Sequence, residues 1–224
     1  MMSDTSTLLR EFLRAPLRIG AVAPSSRRLA VAVTTPIPEL GDPVVVELGP
    51  GTGAFTSAIQ ELLGGRGHHL AVEINPRLAD TLRGRFSGVD VINADASKLP
   101  QLIAERGHGK ADVIVSGLPW ASFPRGIQQE TLLAVSQTLK REGAFTTFGY
   151  VHAIRLAPAL RFRRMLGVTF EEVVTGRTVW GNLPPALVYH GRRPRVIAPL
   201  RAPAPSRRTD RECSCSAGVL SAGR

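Results

Sequence analysis

The chain has 224 residues, of which 43% are hydrophobic, and a formal net charge of +10. This length and composition predict a globular protein with one main core, and they exclude a fibrous or wholly disordered chain. Since no apolar run approaches the roughly 20 residues that span a bilayer, and the first residues lack the order of a secretory signal, we expect a cytoplasmic protein.

The N-terminal segment predicts an amphipathic helix. Four apolar residues recur at helical spacing, and three arginines recur beside them. They are Leu9, Phe12, Leu13 and Leu17 in the first set, and Arg10, Arg14 and Arg18 in the second. An apolar stripe bordered by arginine is typical of a helix that lies on an anionic membrane surface. A surface helix that packs on its own domain shows the same pattern, so both interpretations stay open.

Short apolar or β-branched runs alternate with longer amphipathic runs from Pro43 to Arg193. In chain order, the strand-like runs are VVVEL, HLAVEI, VDVINA, ADVIVS, GAFTTFGY, VTFEEVVTGRTVW and PALVYHGR. Helices are predicted near residues 54–63, 76–86, 126–140 and 154–165. This alternation predicts an α/β fold, in which a parallel sheet carries helices on both faces. The last two runs have no helix between them and predict an antiparallel hairpin at the sheet edge.

The first predicted strand leads into the glycine-rich segment ELGPGTGAF. Gly49, Gly51 and Gly53 allow a tight turn and a close approach of the backbone to a bound nucleotide. The motif fits a nicotinamide dinucleotide as well as S-adenosylmethionine. Glu47 favours S-adenosylmethionine, because a carboxylate attracts its sulfonium-bearing amino acid part and repels a pyrophosphate.

Candidate ligand-binding residues also lie at the ends of the second, third and fourth predicted strands. Glu73 ends the second strand in AVEINP, where it can accept hydrogen bonds from ribose hydroxyls. Asp95 follows the third strand in NADAS and is a candidate for the adenine amino group, or else an ordinary capping residue. The fourth strand ends in SGLPW, from Ser116 to Trp120. Because open α/β sheets bind ligands at the carboxyl ends of their strands, we expect one shared site.

The segments VVVELGPGTGAFT, AVEINP, NADAS and SGLPW together resemble the ordered motifs of class I S-adenosylmethionine-dependent methyltransferases. The subgroups that the chain most resembles are the bacterial phospholipid N-methyltransferases and the related ribosomal RNA adenine dimethylases. The resemblance covers about residues 10 to 193. It implies a Rossmann-like, seven-stranded methyltransferase sheet, S-adenosylmethionine as cofactor and no metal. The segment from Gly20 to Arg27 resembles one that borders the cofactor, which assigns Ser25 to it, although Ser25 or Ser26 also suits a helix cap.

The SGLPW segment bears on the substrate. In adenine dimethylases the matching loop resembles N-L-P-Y, in which asparagine helps to hold the adenine amine and the aromatic ring stacks on the base. Here Gly117 replaces asparagine, so that hydrogen bond is lost unless Ser116 supplies it. An alkyl ammonium instead needs carbonyl oxygens and a ring face, which assigns Leu118 and Trp120 to catalysis and Gly117 and Pro119 to the substrate. Ser116 is assigned to the cofactor, and packing against the sheet is the alternative for Trp120.

The segment after the fifth strand supplies further candidates. Tyr150 and His152 are expected at the ligand edge, and either one can relay the proton that the ammonium loses. Arg155 is expected to hold a head-group phosphate. The arginines that follow, at 161, 163 and 164, suit membrane phosphates or a solvated face. The later segment WGNLPPALVY is interpreted as a turn.

The C-terminal tail, residues 195–224, is rich in Pro, Ala, Ser and Arg and is predicted to be mostly disordered. From Gly191 onward, eight Arg stand against Asp210 and Glu212, so this stretch holds +6 of the net charge. Cys213 and Cys215 are expected to be solvated thiols. The predicted organisation is an N-terminal segment at 1–42, a methyltransferase domain at 43–194 and the tail.

The sequence therefore favours an N-methyltransferase that acts on the head-group amine of a phospholipid. Phosphatidylethanolamine or a similar aminolipid is the expected substrate, and the expected place is the inner face of the cell membrane, with the protein acting as a monomer. One alternative is an RNA methyltransferase like the adenine dimethylases. Gly117 and the lack of their usual C-terminal helical domain disfavour it. The other alternative is a non-catalytic protein that binds S-adenosylmethionine or lipid.

Overall fold

The computed structural model describes residues 25–195. The strands are β1 (Val44–Leu48), β2 (His68–Glu73), β3 (Asp90–Asn93), β4 (Ala111–Ser116), β5 (Leu139–Tyr150), β6 (Phe170–Val179) and β7 (Ala186–Pro194). The helices are α1 (Arg27–Thr34), α2 (Ala54–Leu63), α3 (Pro76–Arg85), α4 (Leu99–Ala104), α5 (Arg125–Thr138) and α6 (Ala157–Thr169). The predicted N-terminal amphipathic helix and all but the first residue of the predicted disordered tail lie outside the described residues.

All seven strands form one sheet in the order β3-β2-β1-β4-β5-β7-β6. The first five strands pair in parallel, whereas β7 runs antiparallel to both β5 and β6. The predicted Rossmann-like sheet and its antiparallel edge hairpin are therefore confirmed. Because the chain moves outward from β1 in one direction through β2 and β3, and in the other through β4, a crevice opens beyond the carboxyl ends of β1 and β4.

Helices cover both faces of the sheet. In β1, Val44, Val46 and Leu48 pack into the core formed with α4, α5 and α6. Val45 faces the opposite core, where α1 and α2 pack. This burial on both faces explains the nearly continuous apolar runs of the central strands. Residues of α1 thus share the core of the methyltransferase domain, and within residues 25–195 no helix is long and apolar enough to cross a membrane.

Most helix positions agree with the sequence prediction, but α6 begins later than expected. A helix starting near Ile154 was predicted, whereas residues Val151–Ala153 form a 3₁₀ turn and α6 starts at Ala157. Pro158 lies in the first turn of α6, where its missing N–H has no intrahelical partner to lose. The six-residue α4 was not predicted, because LPQLIA is too short to show a helical period.

Candidate active site

An open cleft with a cavity volume of about 160 Å³ lies at the carboxyl ends of β1, β2 and β4. Six residues that the sequence assigned to the site line it, namely Gly49, Gly51, Glu73, Gly117, Leu118 and Pro119. Ile74 and Asn75, which directly follow β2, and Leu78 of α3 also line the cleft and were missed.

The glycine loop after β1 forms one wall of the cleft. Gly49 has φ +67°, and a Cβ atom there would lie 2.8 Å from Cδ2 of Leu118. The backbone conformation does not suit a side chain at this position, and the end of the Leu118 side chain would have to move to make room for one. The loop then enters α2 through Gly53, with the first backbone N–H groups of the helix left without intrahelical partners. This arrangement keeps one wall of the cleft free of side chains, as close approach of a nucleoside requires.

Glu73 is the buried carboxylate of the cleft. Its Oε1 accepts a hydrogen bond from the N–H of Asn75 at 2.9 Å, and its Oε2 accepts one from the N–H of Gly51 at 3.2 Å. Burial raises the pKa of Glu73, while these two backbone hydrogen bonds partly oppose the increase. Each carboxylate oxygen retains a further lone pair. Glu73 therefore fits the predicted role of accepting hydrogen bonds from the ribose hydroxyls of S-adenosylmethionine.

Glu47 lies in a different environment from Glu73. Its side chain is fully buried, and its Oε2 accepts a hydrogen bond from Oγ1 of Thr56 at 2.8 Å. The Nε2 atom of His69 lies 3.2 Å from the same oxygen. Glu47 thus sits among β1, β2 and α2 and does not line the cleft, because at this point of the strand its side chain faces the α1–α2 side of the sheet. Its contact with the cofactor stays a prediction.

The structure gives Trp120 a packing role. The ring is only 2% exposed, and it stacks on Phe162 with a centroid distance of 4.4 Å. Its Nε1–H donates to Oγ of Ser116 at 3.0 Å. The expectation that this ring faces a substrate ammonium is therefore corrected, because the face stacked on Phe162 is closed to any ligand. Ser116 is itself fully buried and orients the ring, so a direct contact with the cofactor is not supported either.

Gly117 has a steric reason to be glycine. A Cβ atom at this position would lie 2.6 Å from the carbonyl oxygen of Gly49, and the Gly117 N–H donates to the carbonyl of Leu48 at 2.8 Å. Non-bonded heavy atoms do not approach so closely without a shift of the backbone. The asparagine of the adenine dimethylases would therefore require the glycine loop to move.

Asp95 and Ser26 act as caps. Oδ1 of Asp95 accepts a hydrogen bond from the N–H of Ser97 at 2.9 Å and caps a 3₁₀ turn. Its neighbours Ala94 and Ala96 line the cleft, so its role toward adenine stays a prediction. Of the two serines, Ser26 is the cap, because its Oγ accepts from the N–H of Leu29 at 3.2 Å. Contact between Ser25 and the cofactor also stays a prediction.

Tyr150 and His152 lie together at the end of β5, with ring centroids 5.7 Å apart and nearly parallel planes. Burial raises the pKa of Tyr150, so its phenol is protonated at neutral pH and is a poor proton acceptor. His152 and Arg155 are exposed. Arg161, in contrast, donates from Nε to Oε1 of Gln128 at 2.9 Å, which ties it to α5 instead of leaving it for a membrane phosphate.

The sheet order, the glycine loop after β1 and the acid that ends β2 together define a class I S-adenosylmethionine-dependent methyltransferase. Residues 45–143 match a family model described as a methyltransferase domain. The chain is 33% identical over 191 residues to the ornithine lipid N-methyltransferase of Singulisphaera acidiphila, and the match spans 84% of this chain and 95% of that relative. The chain belongs to the class I S-adenosylmethionine-dependent methyltransferases and uses S-adenosylmethionine as its cofactor.

Two other proteins show how far the similarity extends. Ribosomal RNA small subunit methyltransferase A of Alkaliphilus metalliredigens is 36% identical over 85 residues, which cover 35% of this chain and 28% of that protein. The crystal structure of precorrin-6y C5,15-methyltransferase from Geobacter metallireducens is 17% identical, with a TM-score of 0.54, and the match covers 74% of this chain and 87% of that one. The latter supports the fold alone.

Proposed function

We propose that the protein transfers methyl groups from S-adenosylmethionine to the head-group amine of an aminolipid at a membrane surface. Phosphatidylethanolamine and an ornithine-type lipid are the candidate substrates. The observation that carries this proposal is the match over 95% of the length of a relative named ornithine lipid N-methyltransferase. The match to the ribosomal RNA enzyme reaches only 28% of that protein.

The packing of Gly117 supports an alkyl amine over adenine. A side chain at this position would meet the carbonyl oxygen of Gly49 at 2.6 Å, so the chain lacks room for the asparagine that reads adenine. Ser116 does not replace it, because its hydroxyl is buried and accepts from the indole of Trp120. An alkyl ammonium needs no planar recognition, and Gly117, Leu118 and Pro119, which line the cleft, would hold it.

When bound, S-adenosylmethionine supplies an electrophilic methyl group, and the chain must position the amine, exclude water and remove one proton. Glu73 and the glycine loop would hold the cofactor, and Leu118 and Pro119 line the same cleft. His152 is the better proton acceptor of the two candidates, because Tyr150 is protonated at neutral pH. Arg155 is exposed near the same edge and suits the phosphate or carboxylate of the lipid head group.

The test is the transfer of labelled methyl from S-adenosylmethionine to three substrates in parallel. These are vesicles with phosphatidylethanolamine, vesicles with ornithine lipid, and unmodified ribosomal RNA. We expect label in at least one lipid, with product identification giving the number of methyl groups. Label in RNA alone would overturn the proposal and favour an adenine methyltransferase. Binding of S-adenosylmethionine without label in any substrate would favour the non-catalytic alternative.

A further inference from the structure

The loop between β6 and β7 displays two large apolar side chains to solvent. Trp180 is 74% exposed and Leu183 is 77% exposed, although they lie only three positions apart. Exposure of this kind contributes nothing to the stability of a monomer, and clustered exposed apolar side chains mark interaction surfaces. A simple turn, as the sequence suggested, requires neither side chain.

This loop lies at the same edge of the sheet as the cleft. Ala186, the first residue of β7, pairs with Tyr150, the last residue of β5, and the N–H of Val151 donates to the carbonyl of Pro185 at 2.9 Å. Because β5 is parallel to β4, the loop stands beyond the carboxyl ends of the strands, where SGLPW begins. With strands about 4.8 Å apart, β7 lies roughly 10 Å from β4.

The loop is held in place by a buried asparagine. Asn182 is 3% exposed, and its Oδ1 accepts a hydrogen bond from the N–H of Ser26 at 2.8 Å. Its Nδ2 donates to the carbonyl of Pro184 at 2.7 Å. Asn182 thus fixes the loop to the start of α1, while the residues on either side of it project outward. The exposed side chains of Trp180 and Leu183 are therefore carried by an ordered loop.

The charge around the loop favours an anionic partner. The segments 118–128, 150–157 and 175–185 border this edge and contain arginine but neither aspartate nor glutamate. The exposed arginines are Arg125, Arg155 and Arg177, and Arg28 joins them, because its side chain lies against Gly181. None of these four forms an ion pair within residues 25–195. At the opposite edge, the exposed Leu40 lies between Glu39 and Asp42.

We propose that the β6–β7 loop is a membrane-docking element that inserts Trp180 and Leu183 into the interface of an anionic bilayer. Tryptophan prefers the headgroup level of a membrane, and nearby arginines gain from anionic lipids. Docking through this loop turns the mouth of the cleft toward the lipid surface. The inference rests on the proposed function for the identity of the substrate, but the insertion itself is a separate property.

Insertion is tested by tryptophan fluorescence, because Trp120 is buried in the core and Trp180 is exposed to solvent. Full-length protein is mixed with anionic vesicles whose acyl chains carry bromine, and quenching of the emission is measured. We expect quenching in the wild type and its near-complete loss in Trp180→Phe, since Trp120 is only 2% exposed. Equal quenching in both proteins, or none in the wild type at saturating vesicle concentration, would overturn the proposal.

Docking strength is measured by sedimentation with the same vesicles. We expect the double variant Trp180→Ser, Leu183→Ser to partition at least roughly tenfold more weakly, because both apolar side chains lose their burial in the bilayer. Leu40→Ser is the matched control, with a side chain 84% exposed at the opposite edge, and should partition like the wild type. Equal partitioning of the double variant and the wild type would contradict the proposal.

Methyl transfer separates this proposal from the proposed function. On vesicles, the double variant should lose activity in step with its binding, whereas on a short-chain, water-soluble aminolipid it should match the wild type. Loss of activity on the soluble lipid would assign Trp180 or Leu183 to the catalytic cleft and would overturn a docking role. If the wild type methylates no aminolipid but Trp180 is still quenched, the proposed function fails and membrane docking stands.

Discussion

Among single residues, Glu73 has the clearest expected effect on cofactor binding. Replacing it with glutamine keeps the size of the side chain but removes a charged acceptor, and hydrogen bonds to charged groups contribute about 1.5–3 kcal/mol. We therefore expect Glu73→Gln to weaken S-adenosylmethionine binding by roughly 10- to 100-fold, as measured by calorimetry. Glu61→Gln, a change at an exposed residue of α2, is the control and should leave the affinity unchanged.

The protonation of Glu73 gives a second readout for the same variant. Burial raises the pKa of its carboxyl group, so the carboxylate takes up a proton at a higher pH than an exposed glutamate does. The affinity of the wild type should therefore decrease as the pH falls from neutral toward the acidic range. Glu73→Gln should lack this dependence, and a parallel decrease in both proteins would show that another group titrates.

The variant Gly117→Ala tests the steric explanation for the glycine in SGLPW. A methyl group at this position would lie 2.6 Å from the carbonyl oxygen of Gly49, so Gly117→Ala should push the glycine loop away from β4. Overpacking of this kind costs about 1–3 kcal/mol. We expect a lower Tm and weaker cofactor binding. Gly126→Ala is the control, since the added Cβ meets no atom beyond its own helix backbone and chain neighbours within 4 Å, and it should lower neither quantity because alanine is the better helix former.

At the scale of elements, the contact between α1 and the β6–β7 loop depends on one side chain. Asn182→Ala removes the acceptor for the Ser26 N–H and the donor to the Pro184 carbonyl. A buried group that loses its partner costs about 1–3 kcal/mol. We expect a decrease of several degrees in Tm and faster hydrogen exchange at the start of α1. Thr35→Ala, which removes an exposed hydrogen bond to the carbonyl of Val31 at the C-terminal end of α1, should change neither quantity measurably.

The elements also show what the sequence could predict and what it could not. The alternation of apolar and amphipathic runs was sufficient for the sheet and its edge hairpin, because strand pairing and burial follow periodicity. The predicted strand ends also indicated that Glu73 and the glycine loop lie at one edge of the sheet, and both line the cleft there. The packing of Trp120 on Phe162 and the approach of Gly117 to Gly49 depend on side chains far apart in the chain, and no local pattern records such contacts. For the same reason, WGNLPP indicated a turn but not the exposure of Trp180.

For the whole molecule, three buried or partly buried titrating groups predict a stability that declines toward both acid and alkali. Burial and the nearby Arg192 lower the pKa of His190. The unfolded chain therefore binds a proton at His190 near pH 6.5 while the folded chain resists it, so stability decreases as the pH falls below that value. Burial raises the pKa of Tyr150 and of Tyr189. As the pH rises, the unfolded chain loses these phenolic protons at a lower pH than the folded chain does. Stability therefore decreases as the pH rises above about 10.

Chemical denaturation at a series of pH values measures this profile. The free energy of unfolding should be nearly constant between about pH 7 and 9, where neither set of groups titrates differently in the two states. His190→Gln should flatten the acid limb, and Tyr150→Phe should flatten the alkaline limb without affecting the acid one. Glu73 acts in the opposite direction to His190, since its raised pKa favours the folded state as the carboxyl group protonates. An acid limb that is unchanged in His190→Gln would therefore assign the loss of stability to other groups.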